Sequence, residues 1–93
     1  MKIFYDPRVA LIEDDRSLLD EGKLLISYNQ DNVETMKIVE EAKRQLEELF
    51  NTKVSTQLTP NLLEGIYVLY VPNVPTKEYK EMEEEWQKQG KVV

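Results

Sequence analysis

Apolar residues recur at steps of three and four between Asp31 and Phe50, which is the spacing of one helix face. This stripe comprises Val33, Met36, Val39, Ala42, Leu46, Leu49 and Phe50. Asp31 and Glu34 have the spacing of a capping box, which satisfies the first free amides of a helix. The pattern therefore predicts a helix from Asp31 to about Phe50, with Glu40 and Arg44 as an i,i+4 ion pair on its polar side.

A second, shorter helix is predicted after Pro75. Thr76 can cap its first turn, and Gly90 is placed to end it in a left-handed turn after Gln89. The apolar face of this helix is predicted to pack on the core and consists of Tyr79, Met82 and Trp86.

Each predicted helix is preceded by a stretch rich in aliphatic and aromatic residues. These stretches, 23–28 and 65–71, have the composition of buried strands. In residues 53–59, one side of an alternating pattern consists of Val54, Thr56 and Leu58 and the other of Ser55, Gln57 and Thr59, which is typical of a strand with one buried face. We assign Arg8–Ile12 as its counterpart in the first half of the chain, extended by residues 3–5 before a kink at Asp6-Pro7.

Shifting the chain against itself by 43 positions supports this order of elements. The shift aligns six identical residues, Leu19, Glu21, Gly22, Lys37, Glu40 and Glu41, with Leu62, Glu64, Gly65, Lys80, Glu83 and Glu84. A repeat of this length predicts an internal ββα duplication, with repeats at 8–50 and 51–93. A chance match is the alternative, because Glu is common in this chain.

The resulting prediction is an α+β fold of the order ββαββα. Residues 1–93 are expected to form a single domain, since no linker divides them. The simplest arrangement is a two-layer sandwich in which a four-stranded antiparallel sheet carries both helices on one face.

The predicted strand at 65–71 is apolar on both faces, whereas a strand half in water should alternate. We assign one set of its side chains to the helix-covered core: Tyr67, Leu69 and Val71, together with Leu24, Ile26 and Tyr28. The other set is predicted to be an open face that forms a homodimer or captures a partner protein, and it comprises Leu25, Ile66, Val68 and Tyr70. Alternatively, the N-terminal strand or the tail 91–93 folds over this face.

The composition limits the available chemistry. The 93 residues include no Cys and no His, which removes thiolate nucleophiles, imidazole catalysis and the usual zinc sites. We therefore expect no enzyme activity, no cofactor and no metal. The net charge of −6 disfavours nucleic acid as a partner.

Acidic residues concentrate in the connection at 13–21, where a short helical turn is predicted around Ser17 to Asp20. Five carboxylates stand there against one arginine: Glu13, Asp14, Asp15, Asp20 and Glu21. We predict an acidic docking loop that favours a basic protein surface. A merely solvated loop and a magnesium or calcium site are the alternatives, and a metal-dependent enzyme built on the loop is the least favoured because calcium-loop spacing is missing.

The sequence thus predicts a small acidic, non-catalytic interaction protein. The alternative is an inhibitor or nucleic-acid mimic, of a viral or mobile-element type, that binds a basic site on another protein. We expect a cytoplasmic protein without membrane contact, since neither a signal peptide nor a long apolar run is evident. Richness in Glu and Lys without Cys or His is also typical of thermophile proteins.

Overall fold

The computed structural model describes residues 2–73, together with residues 77, 80, 81 and 84. Its elements are β1 (Ile3–Tyr5), α1 (Pro7–Asp14), a 3₁₀ helix (Arg16–Glu21), β2 (Gly22–Tyr28), α2 (Val33–Phe50), β3 (Val54–Leu58) and β4 (Ile66–Pro72). The four separate residues at 77–84 are helical and exposed. Most of the predicted second helix, including Tyr79, Met82, Trp86 and Gly90, lies outside the described residues.

The four strands form one mixed sheet in the order β1-β4-β2-β3. The central strands β2 and β4 are antiparallel, whereas β1 is parallel to β4 and β3 is parallel to β2. The predicted α+β fold with four strands is confirmed, but the prediction of a wholly antiparallel sheet is wrong. The crossover through α2 returns β3 parallel to β2, and β1 is parallel to β4 because both run antiparallel to β2.

Residues Arg8–Ile12 form part of α1, so the prediction of a strand there is wrong and the ββαββα order fails in the first half. Asp6 is the N-cap of α1, and its side chain accepts a hydrogen bond from the Arg8 amide at 3.0 Å. Pro7 occupies the first turn, where its fixed φ and missing amide favour a helix. The Asp6-Pro7 pair is therefore a helix start rather than a kink.

The predicted helix at 31–50 is confirmed as α2, with one change at its start. Asn32 is the N-cap in place of Asp31, and its side-chain oxygen accepts a hydrogen bond from the Thr35 amide at 2.8 Å. The helix ends at Phe50, and Asn51 follows in the left-handed conformation with φ of 50°. Arg44 pairs with Glu41 and Glu48, whereas the sequence predicted Glu40 as its partner.

The core lies between one face of the sheet and the two helices. Directly opposed residues of an antiparallel pair share a face, and the register places Leu24 opposite Tyr70, Ile26 opposite Val68 and Tyr28 opposite Ile66. These side chains meet buried residues of α1, α2 and β3: Val9, Ile12, Val39, Ala42, Leu46, Phe50 and Val54. Both helices therefore cover the same face of the sheet.

Matched valines on α2 test this packing. Val39 is fully buried, whereas Val33 is 72% exposed. Val39→Ala is expected to lower the free energy of unfolding by about 2 kcal/mol, because two buried methyl groups are lost and a cavity remains. Val33→Ala should change it by less than about 0.5 kcal/mol. Urea unfolding followed by circular dichroism measures both, and equal losses would contradict the placement of the helix.

Candidate functional site

An apolar groove with a volume of about 650 Å³ lies between α1 and α2. Its floor is apolar and comprises Ile3, Val9, Ala42, Leu46 and Phe50. The rim carries the exposed side chains of Tyr5, Ala10 and Leu49. The groove is therefore open to solvent and offers a continuous apolar surface.

The unequal lengths of the two helices create this groove. The helix α1 has 8 residues, whereas α2 has 18 and presents four successive turns to the groove, from Lys37 to Phe50. At 1.5 Å per residue this wall is about 20 Å long. Beneath the gap, β1 is a three-residue edge strand whose Ile3 and Tyr5 face the helices, since they lie opposite core residues Ile66 and Val68.

The rim of the groove carries fixed charges. Glu13 projects from α1, and Lys37 and Glu41 project from α2. The Glu41 carboxylate accepts a hydrogen bond from the Arg44 guanidinium at 2.5 Å and another from the side-chain Nε2 of Gln45 at 3.0 Å. These bonds lower the pKa of Glu41 to about 2, with Arg44 as the main cause. Glu41 is therefore ionised throughout the physiological range.

A partly buried ion pair lies at the end of the groove where α1 begins. The Asp6 side chain is only 2% exposed, and its two oxygens accept hydrogen bonds from the Arg8 side chain at 2.5 to 3.0 Å. The Asp6 amide also donates to the Val68 carbonyl at 2.8 Å. The backbone of Asp6 thus joins the start of α1 to the central sheet, while its side chain caps the helix and holds Arg8.

Tyr70 is a neighbour of this ion pair. The Arg8 guanidinium carbon is 6.0 Å from the centre of the Tyr70 ring, and the Tyr70 hydroxyl donates to the Leu18 carbonyl at 2.9 Å. Burial raises the pKa of Tyr70, and the charge of Glu21 adds to this effect while Arg8 opposes it. Tyr70 is therefore a neutral structural donor that links β4 to the 3₁₀ helix.

The predicted open-face interface must be corrected. Ile66 and Val68 are fully buried and Tyr70 is half-buried, all on the helix-covered face. Leu25 lies on the opposite face, where its cross-strand partner is Leu69. The prediction paired the strands by the 43-residue shift, which matches Leu25 with Val68, whereas the antiparallel register decides which side chains share a face.

The second face of the sheet is also largely buried at its centre. Ser27, Tyr67 and Leu69 are 4 to 6% exposed. The Tyr67 ring stacks on Phe4 at 4.9 Å between centroids, and burial raises the pKa of Tyr67. The N-terminal strand does not fold over this face, because β1 pairs with the edge of β4 within the sheet. The tail 91–93 lies outside the described residues.

The five residues of the predicted acidic docking loop are exposed, and they lie at the ends of two helices rather than in one loop. Glu13 and Asp14 end α1, Asp15 caps the 3₁₀ helix, and Asp20 and Glu21 end it. The helical turn predicted around Ser17 to Asp20 is confirmed. Hydrogen bonds from Ser17 lower the pKa of Asp15. Within the described residues, no three side chains of metal-ligating type come together.

Sequence reasoning missed the groove because it assigned Arg8–Ile12 to a strand. The available signal was Asp6-Pro7, an N-cap followed by proline, which would have placed a second helix beside α2. The width of the groove between α1 and α2 cannot be predicted from the periodicity of the sequence.

Comparisons of this chain with protein-family models, with curated proteins and with solved structures found no match. In the part of the chain that the structure describes, no helix is long and apolar enough to cross a membrane. The site is therefore interpreted from its own geometry.

The contribution of Asp6 to stability can be tested by comparison with Asp15, which is an exposed helix cap. Asp6→Ala is expected to lower the free energy of unfolding by roughly 2 to 4 kcal/mol, since it removes a cap and leaves a half-buried guanidinium without its carboxylate. Asp15→Ala removes an exposed cap and should lower it by clearly less. Thermal and urea unfolding compare the two variants. A smaller loss for Asp6→Ala than for Asp15→Ala would refute the anchoring role.

The pKa of Glu41 provides a second test. Carboxyl NMR titration should give a midpoint near pH 2, and Arg44→Gln should move it up toward the ordinary glutamate value. Because the folded pKa is depressed, the interaction stabilises the fold above the unfolded pKa and is lost as the pH falls toward 2. Lys43→Gln removes the same charge one residue away and should leave the midpoint nearly unchanged. Equal shifts in the two variants would argue against the Arg44 contact.

Proposed function

We propose that this chain is a non-catalytic interaction protein that binds an amphipathic helix of a partner protein in the groove between α1 and α2. The observation that carries the proposal is the open apolar groove over β1, which is bounded by four turns of α2. This is the arrangement of helix-in-groove recognition, in which apolar anchors at helical spacing enter a trough.

The dimensions of the groove support a helical ligand. A wall of about 20 Å matches a helix of three to four turns, or about 14 residues. Burial of one leucine side chain contributes roughly 1.5 to 3 kcal/mol, so three anchors offset a large part of the cost of association. A docked helix would also cover Tyr5 and Leu49, which are 59% and 48% exposed.

The charges around the groove favour a partner with basic residues. Glu13 and Glu41 provide two carboxylates on opposite walls, of which Glu41 is paired with Arg44, and Lys37 provides one cation. The whole chain carries −6, which raises the encounter rate with a cationic partner at low salt. A helix with leucines on one side and lysines on the flanks therefore fits both the floor and the rim.

The absence of Cys and His from the sequence also favours binding over catalysis. The nucleic-acid-mimic alternative needs only negative charge on the surface. It predicts binding that high salt abolishes and that the apolar groove residues do not affect. The two functions are therefore separable by one pair of variants.

The test uses a fluorescein-labelled amphipathic peptide of about 14 residues, with leucines at helical spacing and lysines at the other positions. Fluorescence anisotropy should show binding to the chain, and amide NMR shifts should localise it to Ala10, Lys37 and Gln45. A peptide with the same composition in scrambled order should bind at least about tenfold more weakly. A peptide with glutamates in place of lysines should also bind more weakly, because the chain carries a net charge of −6.

Two leucine variants provide the matched control. Leu49→Glu places a charge in the groove and should weaken binding at least about tenfold. Leu11→Glu adds the same charge on α1 at a position that is 57% exposed and outside the groove lining, and it should change binding less than about twofold. Binding that Leu49→Glu leaves unchanged and high salt abolishes would support the mimic alternative. Equal weakening by both variants, or unlocalised NMR shifts, would overturn the groove as the site.

A further inference from the structure

The two edges of the sheet are protected to different degrees. The edge strand β1 has three residues and is followed directly by Asp6 and Pro7. The edge strand β3 has five residues, Val54–Leu58, with neither a charged residue nor a proline among them. Charges, prolines and short length are the usual means by which edge strands avoid pairing with another chain. The β3 edge lacks the first two of these protections.

The hydrogen-bonding direction along β3 follows from one contact. The Thr59 amide donates to the Tyr28 carbonyl at 2.7 Å, so Thr59 faces β2. Backbone groups of a strand alternate in direction, and therefore Ser55 and Gln57 also face β2 while Val54, Thr56 and Leu58 face outward. Within the described residues, β3 pairs with β2 and with no further strand.

One outward group on this edge already has a partner. The Val54 amide donates to the Glu47 carboxylate at 3.2 Å. The amides of Thr56 and Leu58, and the carbonyls of Val54 and Thr56, remain directed outward by the alternation. These outward donors and acceptors are centred on Thr56.

We infer that β3 pairs with β3 of a second copy of this chain, antiparallel, with the two-fold axis at Thr56. In this register each Thr56 amide donates to the Thr56 carbonyl of the second copy. Each Leu58 amide donates to the Val54 carbonyl of the second copy, while Val54 keeps its bond to Glu47. The pairing forms four backbone hydrogen bonds and joins the two sheets into one of eight strands.

The side chains are self-complementary in the same register. Val54 lies opposite Leu58 of the second copy, on the helix-covered side, and Leu58 is 41% exposed in the isolated chain. Ser55 lies opposite Gln57 of the second copy on the other side. The threonines meet at the axis, a favourable cross-strand pair, and no like charges are opposed within the strand. A second copy therefore satisfies both the backbone and the side chains of this edge.

The charge of the chain sets the salt dependence of this dimer. Each copy carries −6, so added salt should screen the repulsion and strengthen dimerisation. Binding of a cationic helix in the groove should respond in the opposite direction. The groove lies over β1, at the opposite edge of the sheet from β3, and none of its lining residues belongs to β3.

Sedimentation equilibrium at low and high salt tests the dimer. The wild-type chain should be dimeric at high concentration, and Leu58→Lys should raise the dimer dissociation constant at least about tenfold. Leu63→Lys introduces the same charge five positions along, at a leucine that is 55% exposed, and should leave the constant within about twofold. A wild-type chain that stays monomeric at all soluble concentrations, or equal effects of both variants, would overturn the inference.

Cross-linking tests the register, and the absence of native cysteine makes it specific. In a hydrogen-bonded antiparallel pair the opposed Cα atoms are about 5.5 Å apart, which a disulfide can span. Thr56→Cys should therefore form a covalent dimer under mild oxidation, much faster than Leu63→Cys. Comparable rates for the two thiols would overturn the register. Leu49→Glu should leave the dimer intact, which separates failure of this inference from failure of the groove proposal.

Discussion

The antiparallel register between β2 and β4 is the constraint on which the rest of the structure depends. Once Ile26 lies opposite Val68, both strands direct their fully buried side chains to the same face. The outer strands inherit this arrangement, because Ile3 pairs with Ile66 and Val54 pairs with Leu24. The helices α1 and α2 then have one apolar surface to cover, and a slip of one residue would turn that surface to the other side.

Local signals in the sequence were sufficient for the elements that carry them. The helical period of α2 and the apolar runs of β2 and β4 predicted those elements, because the apolar side chains follow the geometric repeat of each element. The strand assignment at Arg8–Ile12 failed because a short helix with two buried residues, Val9 and Ile12, has too few turns to show a period. Its cap, Asp6-Pro7, carried the missing information.

Properties that depend on distant residues could not be predicted in the same way. Strand β4 is apolar on both sides because both sides are buried at its centre, so its composition does not indicate which face the helices cover. The parallel pairing of the outer strands depends on how the chain crosses the sheet. The 43-residue duplication stays a prediction: its two central strands pair with each other, but Arg8–Ile12 is helical where its counterpart leads into β3.

The position of the groove over β1, at the opposite edge from β3, gives the proposed dimer a particular geometry. Two copies joined at β3 would hold their β1 strands seven strand spacings apart, or roughly 33 Å. The assembly would then be bivalent, with identical trough-shaped sites at its two ends. A partner that carries two suitable helices at this separation, or that is itself a dimer, would gain avidity from the second contact without any change in the individual groove.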